Sequence, residues 1–312
     1  MGALGSAARQ RGIALILVLW LTILLTVIAA AFAYSMRTEA IAARNAVSLA
    51  QARGLADGAI MRTAFELMRP RTINETWQAD GLPHYWDEGD AHIAANAIDE
   101  SGKIDLNSAS DALLKGLFQA AGGLDVDAAQ RIVDVIDDWK DADDLRRPNG
   151  AEAPDYQAAG LSYKPANAPF ESVAELQRVL GMTPTLYAAV ADHLTVFSKS
   201  PGVNPAFASR MVLMAIPGAT TEVVDTYLVQ RQNALAQGLA VPPFPVQGGA
   251  AGPTNLWRIR AEATMPDGVT YVREAVIRPG GDLLHPVTVL LWVEGDQRRF
   301  VPTTAEGGPV AK

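Results

Sequence analysis

The chain has 312 residues, 49% hydrophobic and 19% charged, which suits a membrane anchor plus one large or two small domains and excludes disorder as the default state. Its formal net charge is −8, and residues 99–157 carry 14 acidic against 6 basic side chains, so that stretch accounts for the whole excess. A concentration of acid repels phosphate backbones and attracts hard cations, which ranks nucleic acid low as a partner and Ca2+ high, while the absence of cysteine excludes disulfides and thiolate chemistry.

From Gly12 to Met36 there is no charged side chain, and the run from Ile13 to Tyr34, at about 1.5 Å per residue, is long enough to cross roughly 30 Å of hydrocarbon. Arg9 and Arg11 precede it without a nearby acid, so the positive-inside rule places residues 1–12 in the cytoplasm and the chain beyond Arg37 outside, in the periplasm of a Gram-negative cell. An ordinary signal anchor, a secretory signal cut after Ala31-Phe32-Ala33 and a pilin-type leader cut at Gly12 all fit this composition. The apolar run is longer than a secretory core, and residues 37–68 continue without proline as strong helix formers, so one long helix, half in lipid and half out, is predicted.

Pro70 ends that helix. Residues 91–106 alternate apolar and polar around Glu100-Ser101-Gly102-Lys103, predicting a β-hairpin. Downstream, Trp257, Ile259, Ala261 and Ala263 alternate with polar residues, a Pro266-Asp267-Gly268 turn leads into residues 269–277, and residues 287–293 form a last strand. The span between, from Asn107 to about Gln232, is helical almost throughout, with three loose helix-turn-helix units over 106–135, 170–194 and 203–229. The expected fold is therefore α+β: a long N-terminal transmembrane helix plus an antiparallel sheet, with a large helical domain of helix-hairpin-helix-like repeats inserted between strands. Its expected parts are a cytoplasmic leader (1–12), a transmembrane half-helix (13–36), a periplasmic helix with the first strands (37–106), the helical insertion (107–232), a Pro/Gly-rich loop (233–254), the C-terminal strands (255–301) and a tail (302–312).

The most specific feature of the soluble part is the acidic run Asp137-Asp138-Trp139-Lys140-Asp141-Ala142-Asp143-Asp144, followed by Asn149-Gly150-Ala151-Glu152 and Tyr156. Ile132, Val135, Ile136 and Trp139 recur at helical spacing, so a helix starting near Asp127 carries Asp138 at its end and hands the remaining acids to a loop. Closely spaced carboxylates, a glycine for a tight turn and a distal glutamate suit calcium, though the EF-hand order is absent. Asp138, Asp141, Asp143 and Glu152 are the candidate metal ligands, against the alternative of a solvated acidic face to which Asp137 or Asp144 belongs.

No catalytic residue is assigned and the chain is not expected to be an enzyme: none of His84, His92, His193 or His285 has metal-like spacing, and neither a serine elbow nor a phosphate-cradling glycine loop is present. Helix-hairpin-helix units often bind DNA, which makes a membrane-anchored DNA-binding protein the alternative function. The turns Gly181-Met182-Thr183 and Pro217-Gly218-Ala219 lack adjacent basic clusters, so no nucleic-acid partner is expected.

Arg-Gln-Arg-Gly before Ile-Ala-Leu-Ile-Leu-Val-Leu-Trp-Leu resembles the leader of type IV pilins and pseudopilins, which implies cleavage after Gly12 by prepilin peptidase and N-methylation of Ile13. Most pilin-like proteins have glutamate at the fifth mature position, whereas Leu17 stands there. That departure, the run Asp138-Trp139-x-Asp141-x-Asp143 with Gly150, Glu152 and Tyr156, and the stretches 99–107 and 172–182 resemble the general secretion pathway protein K family of minor pseudopilins. The resemblance implies a place at the tip of a type II secretion pseudopilus, helping to initiate or cap it for export of folded proteins. It also implies other minor pseudopilins and the inner-membrane assembly platform as partners, calcium in the helical domain, and a single-pass inner-membrane location with the bulk periplasmic.

Overall fold

The computed structural model describes residues 11–70, 77–246, 252, 254–280 and 284–296, with side chains from residue 14 onward. Most of the predicted leader (1–12), part of the Pro/Gly-rich loop and the predicted tail (302–312) lie outside the described residues.

Helix α1 (Arg11–Met68) runs 58 residues, about 87 Å at 1.5 Å per residue. Its first half is exposed on every side, including Leu15, Trp20, Leu24 and Phe32, and it holds the apolar stretch long enough to span a bilayer. Its second half buries Ala52, Ala56, Ala59, Ile60 and Ala64 on one side. Facing them are Ala95, Ala97, Ile259, Ala261, Ala263, Ala275 and Ile277, so small residues on both surfaces let helix and sheet approach closely.

That sheet contains β1 (His84–Glu88), β2 (Ala91–Asp99), β5 (Trp257–Thr264), β6 (Thr270–Pro279) and β7 (Val287–Glu294) in the order β1-β2-β5-β6-β7, antiparallel throughout. The burial of β5 alternates strictly, as a sheet covered by a helix on one face demands. Arg273 of β6 pairs with Asp57 of α1 at 2.6 Å, and Ser48 Oγ donates to Asp267 Oδ1 in the β5–β6 turn at 2.9 Å.

All other elements fall between β2 and β5. They are β3 (Ile104–Asp105), α2 (Asp111–Ala120), α3 (Val126–Lys140), α4 (Ala153–Ala158), α5 (Pro184–Val190), β4 (Leu194–Thr195), α6 (Arg210–Ala215) and α7 (Thr221–Ala236). Each of α2, α3, α5, α6 and α7 begins with a side-chain cap, from Ser110, Asp125, Thr183, Ser209 and Thr220 respectively, that accepts an otherwise unpaired N–H. Their apolar faces share a second core around Phe118, Ile136, Trp139, Tyr156 and Leu176.

Two sequence expectations are corrected. Residues 91–106 do not form a hairpin: after β2 the chain enters a 3-10 turn (Glu100–Gly102), and β3 pairs in parallel with β4 in a separate two-stranded sheet. The hairpin partner of β2 is β1, hidden because Trp86-Asp87-Glu88 breaks the apolar alternation. The middle helix-turn-helix unit is also irregular, since residues 173–178 form 3-10 rather than α-helix.

A buried ion cluster joins the two cores. Glu100, fully buried, accepts from Arg258 Nε at 2.6 Å and from the Thr195 hydroxyl, with Lys103 at 3.7 Å, and Arg258 also pairs with Glu274. Burial works to raise the Glu100 pKa, but the Lys103 and Arg258 charges and the hydrogen bonds outweigh it and hold the carboxyl below its usual range. Glu100 thus ties β4 of the helical part to β5 of the sheet.

Candidate metal centre

The C-terminal end of α3 positions the acidic run. Ile132, Val133, Val135, Ile136 and Trp139 turn into the core, and the helix stops at Lys140 because Asp141 takes an extended conformation. Trp139 is locked by rings on three sides: Tyr156 at 5.9 Å, Phe170 at 6.2 Å and Tyr163 at 6.4 Å between centroids. Tyr156 accepts a hydrogen bond from the Leu180 amide at 2.9 Å, and burial pushes its hydroxyl pKa up to about 12. The tryptophan and tyrosine of the motif are therefore framework, holding the end of α3 against the loop that returns from residue 141 to residue 152.

Asp138 is fully buried and faces that loop. It accepts from the Arg147 amide at 3.2 Å and from the backbone of Ala151. A Cβ on Gly150 would lie 1.8 Å from Asp138 Oδ2, which is why glycine stands there. Glu152, also buried, donates its amide to Asp155 Oδ2 at 2.9 Å, but both of its carboxylate oxygens are buried without a hydrogen-bond partner, as is Oδ1 of Asp141. Burial first, then the charges of Asp138, Asp141, Asp144 and Asp143, push the Glu152 pKa up to about 7. Burial likewise raises the Asp138 and Asp141 carboxyls, with the charge of Asp143 next for Asp141. Asp143 sits at the rim, its Oδ1 accepting from the Leu145 amide at 2.8 Å.

The four predicted ligands are thus brought to one end of α3, within electrostatic reach of one another. Orphaned buried oxygens and mutual repulsion are what a hard cation relieves, so the donor chemistry fits Ca2+. The spacing is looser than the chemistry: among the described residues no three acidic or imidazole groups stand at chelating distance.

Asp137 is no solvated acid. It is 2% exposed and ion-paired to Lys140 at 2.8 Å and Arg147 at 2.6 Å, and Arg147 also reaches Asp111 at 3.0 Å. Asp144 accepts from Asn167 Nδ2 at 2.9 Å. Sequence reading missed Asp134, which receives Asn149 Nδ2 at 2.8 Å and Gln130 Nε2 at 2.8 Å and so anchors the loop from behind. Its place on the buried face of α3 was the available signal.

At the other end of the chain, Leu17 is exposed within the apolar half of α1, and the backbone of Gly12 and Ile13 belongs to the first turn of that helix.

A family model described as type II secretion system protein K matches residues 94–199, a span that includes the whole carboxylate cluster. Among curated relatives, type II secretion system protein K of Pectobacterium carotovorum is 28% identical over 209 residues, 60% of this chain and 63% of that protein. The Klebsiella pneumoniae protein of the same name is 26% identical over 253 residues, 72% of this chain and 76% of its own length. Among solved structures, a chain of the GspK-GspI-GspJ complex from enterotoxigenic Escherichia coli superposes with a TM-score of 0.54 at 18% identity, covering 84% of this chain and 99% of that one, which shows a shared α+β fold. The family model over residues 94–199, the relatives and the fold agree in pointing to the type II secretion system protein K family.

Proposed function

We propose that the protein is a minor pseudopilin at the tip of the type II secretion pseudopilus, where it helps initiate or cap assembly for the export of folded proteins. The observation that carries this reading is the division of α1: its first half is exposed and apolar, while its second half is packed on a pilin-like sheet that bears a bulky helical insertion. A subunit of that form shares a helical stalk with its neighbours, and its insertion occupies the space where a further subunit would stack. Leu17 supports a terminal place, because a subunit without an intramembrane carboxylate has no charge with which to pair the N-terminal ammonium of a neighbour. On this reading prepilin peptidase cuts after Gly12, Ile13 is N-methylated, and the other minor pseudopilins and the inner-membrane platform are partners. The location is the inner membrane, single-pass, with the bulk periplasmic and no catalytic role.

Nucleic acid stays the weaker reading because the three basic residues nearest the acidic run are committed to carboxylates: Lys140 and Arg147 to Asp137, and Arg146 to Asp155. The ligands for Ca2+ in this reading are Asp138, Asp141, Asp143 and Glu152. The ion would supply positive charge to a buried acidic end of α3 and fix the 141–152 loop; its role is structural.

The test is the mass and N-terminal sequence of the protein recovered from membranes that contain prepilin peptidase. A start at N-methylated Ile13 is expected; a start near Tyr34 means a secreted soluble protein, and an intact Met1 a plain signal anchor.

A further inference from the structure

The two edges of the large sheet are unlike. On one side β1 is five residues long and ends in Asp87-Glu88, charge that discourages pairing. On the other, β7 is eight residues, Val-Thr-Val-Leu-Leu-Trp-Val-Glu, with a single charge at its last position. Its outer row of N–H and C=O groups has no strand against it among the described residues, and α1 lies over β2, β5 and β6 rather than over β7. Val289, Leu290 and Val293 are 41, 36 and 40% exposed. A long apolar edge of this kind is a template for another strand.

The described residues that follow β7 do not lie along this edge. The Gly295 amide donates to Val272 O at 3.0 Å, and Arg260 of β5 donates to Asp296 O at 2.7 Å, so both residues are held on the β6 and β5 side of β7. A second copy does not fit either. A closed pair of identical edges is antiparallel, about a two-fold axis normal to the sheet. That axis would reverse α1, which lies flat on the sheet, and send the two apolar anchors in opposite directions.

We infer that the free edge of β7 receives an extended segment from a different subunit anchored alongside in the same membrane, forming a continuous sheet between the two proteins. This rests on the reading of the chain as a pseudopilus subunit. Charge sets what the segment carries: Glu294 at one end of the edge and Arg278, opposite Thr288 at the other, are exposed and have no ion pair among the described residues. The incoming strand is apolar and β-branched, with a basic side chain near Glu294 and an acidic one near Arg278.

The test is amide hydrogen exchange on the full-length protein in detergent, with and without the purified I- and J-type minor pseudopilins of the same secretion system. Exchange in residues 287–294 is expected to slow at least tenfold in the complex while residues 84–88 of β1 are unchanged. Leu290→Lys and Val293→Lys, which place nature's own edge-protecting charge on β7, are expected to weaken the complex at least tenfold without changing the melting temperature. A complex that forms with β7 exchange unaltered, or that tolerates both lysines, overturns the edge assignment and leaves the proposed function standing. Failure of the wild-type protein to bind either partner overturns both, and a homodimer that protects β7 overturns the choice of occupant.

Discussion

Gly150→Ala tests the metal centre at its tightest point. The added Cβ would sit 1.8 Å from Asp138 Oδ2 and 2.6 Å from its Cγ, whereas ordinary contact needs more than 3.4 Å, so carboxylate or loop must shift by well over an ångström. Asp138 cannot swing freely, because it is fully buried and holds the Arg147 and Ala151 backbone. Overpacking of this kind costs about 1–3 kcal/mol, and for a folded part of this size about 2–4 °C of melting temperature per kcal/mol. The second consequence is specific to the ion: a cation at 100 times its Kd stabilises the native state by about 2.7 kcal/mol, and a displaced Asp138 removes most of that gain. The assay is differential scanning fluorimetry of EDTA-treated wild type and variant over a Ca2+ titration. Wild type is expected to rise in melting temperature with Ca2+, and the variant to start lower and stay flat. A wild type that does not respond refutes the calcium site; a variant with unchanged stability and full response refutes the packing of Asp138 against Gly150.

In the cation-free protein Glu152 is protonated in the fold at pH values where the unfolded chain has lost that proton, so melting temperature is expected to fall between about pH 4.5 and 7, and the fall should shrink in Glu152→Gln. Ca2+ competes with that proton, so calorimetric affinity should strengthen as pH rises through 7; a pH-independent affinity excludes Glu152 as a ligand. Arg258→Met leaves Glu100 buried without its main partner and is expected to cost about 3–5 kcal/mol by urea unfolding, an estimate refuted by a loss under about 1 kcal/mol. Leu17→Glu adds an intramembrane carboxylate and is expected to reduce secretion of a reporter enzyme severalfold; unchanged secretion and assembly would sink the tip argument.

Much of the fold was legible because its signals are local. A charge-free apolar run marks the first half of α1, strict alternation marks β5, and the apolar period of residues 132–139 marks α3. The carboxylates at the end of α3 were legible for the same reason, since residues 138–143 are nearly contiguous and Gly150 and Glu152 follow within one loop. What failed was decided by partners distant in sequence. β3 looks like the return strand of a hairpin until Leu194 and Thr195 arrive from about 90 residues away to pair with it, and Glu100 looks like a solvent-facing turn residue until Arg258 and Thr195 close over it.

The same distinction explains which acids could be assigned roles from sequence. Asp137 and Asp138 are adjacent and identical in type, yet they point to opposite duties because consecutive helical positions differ by about 100°. One direction leads to Lys140 and Arg147, which ion-pair with Asp137; the other leads to Gly150, Asp141 and Glu152, and among the described residues no basic side chain forms an ion pair with Asp138, Asp141 or Glu152. Composition records the acid excess without saying which carboxylates are already paired. The return path of the 141–152 loop makes that choice, because it delivers the Arg147 guanidinium to Asp137 but only backbone N–H groups and a side-chain-free glycine to Asp138, and so leaves the acids proposed as ligands without a paired cation.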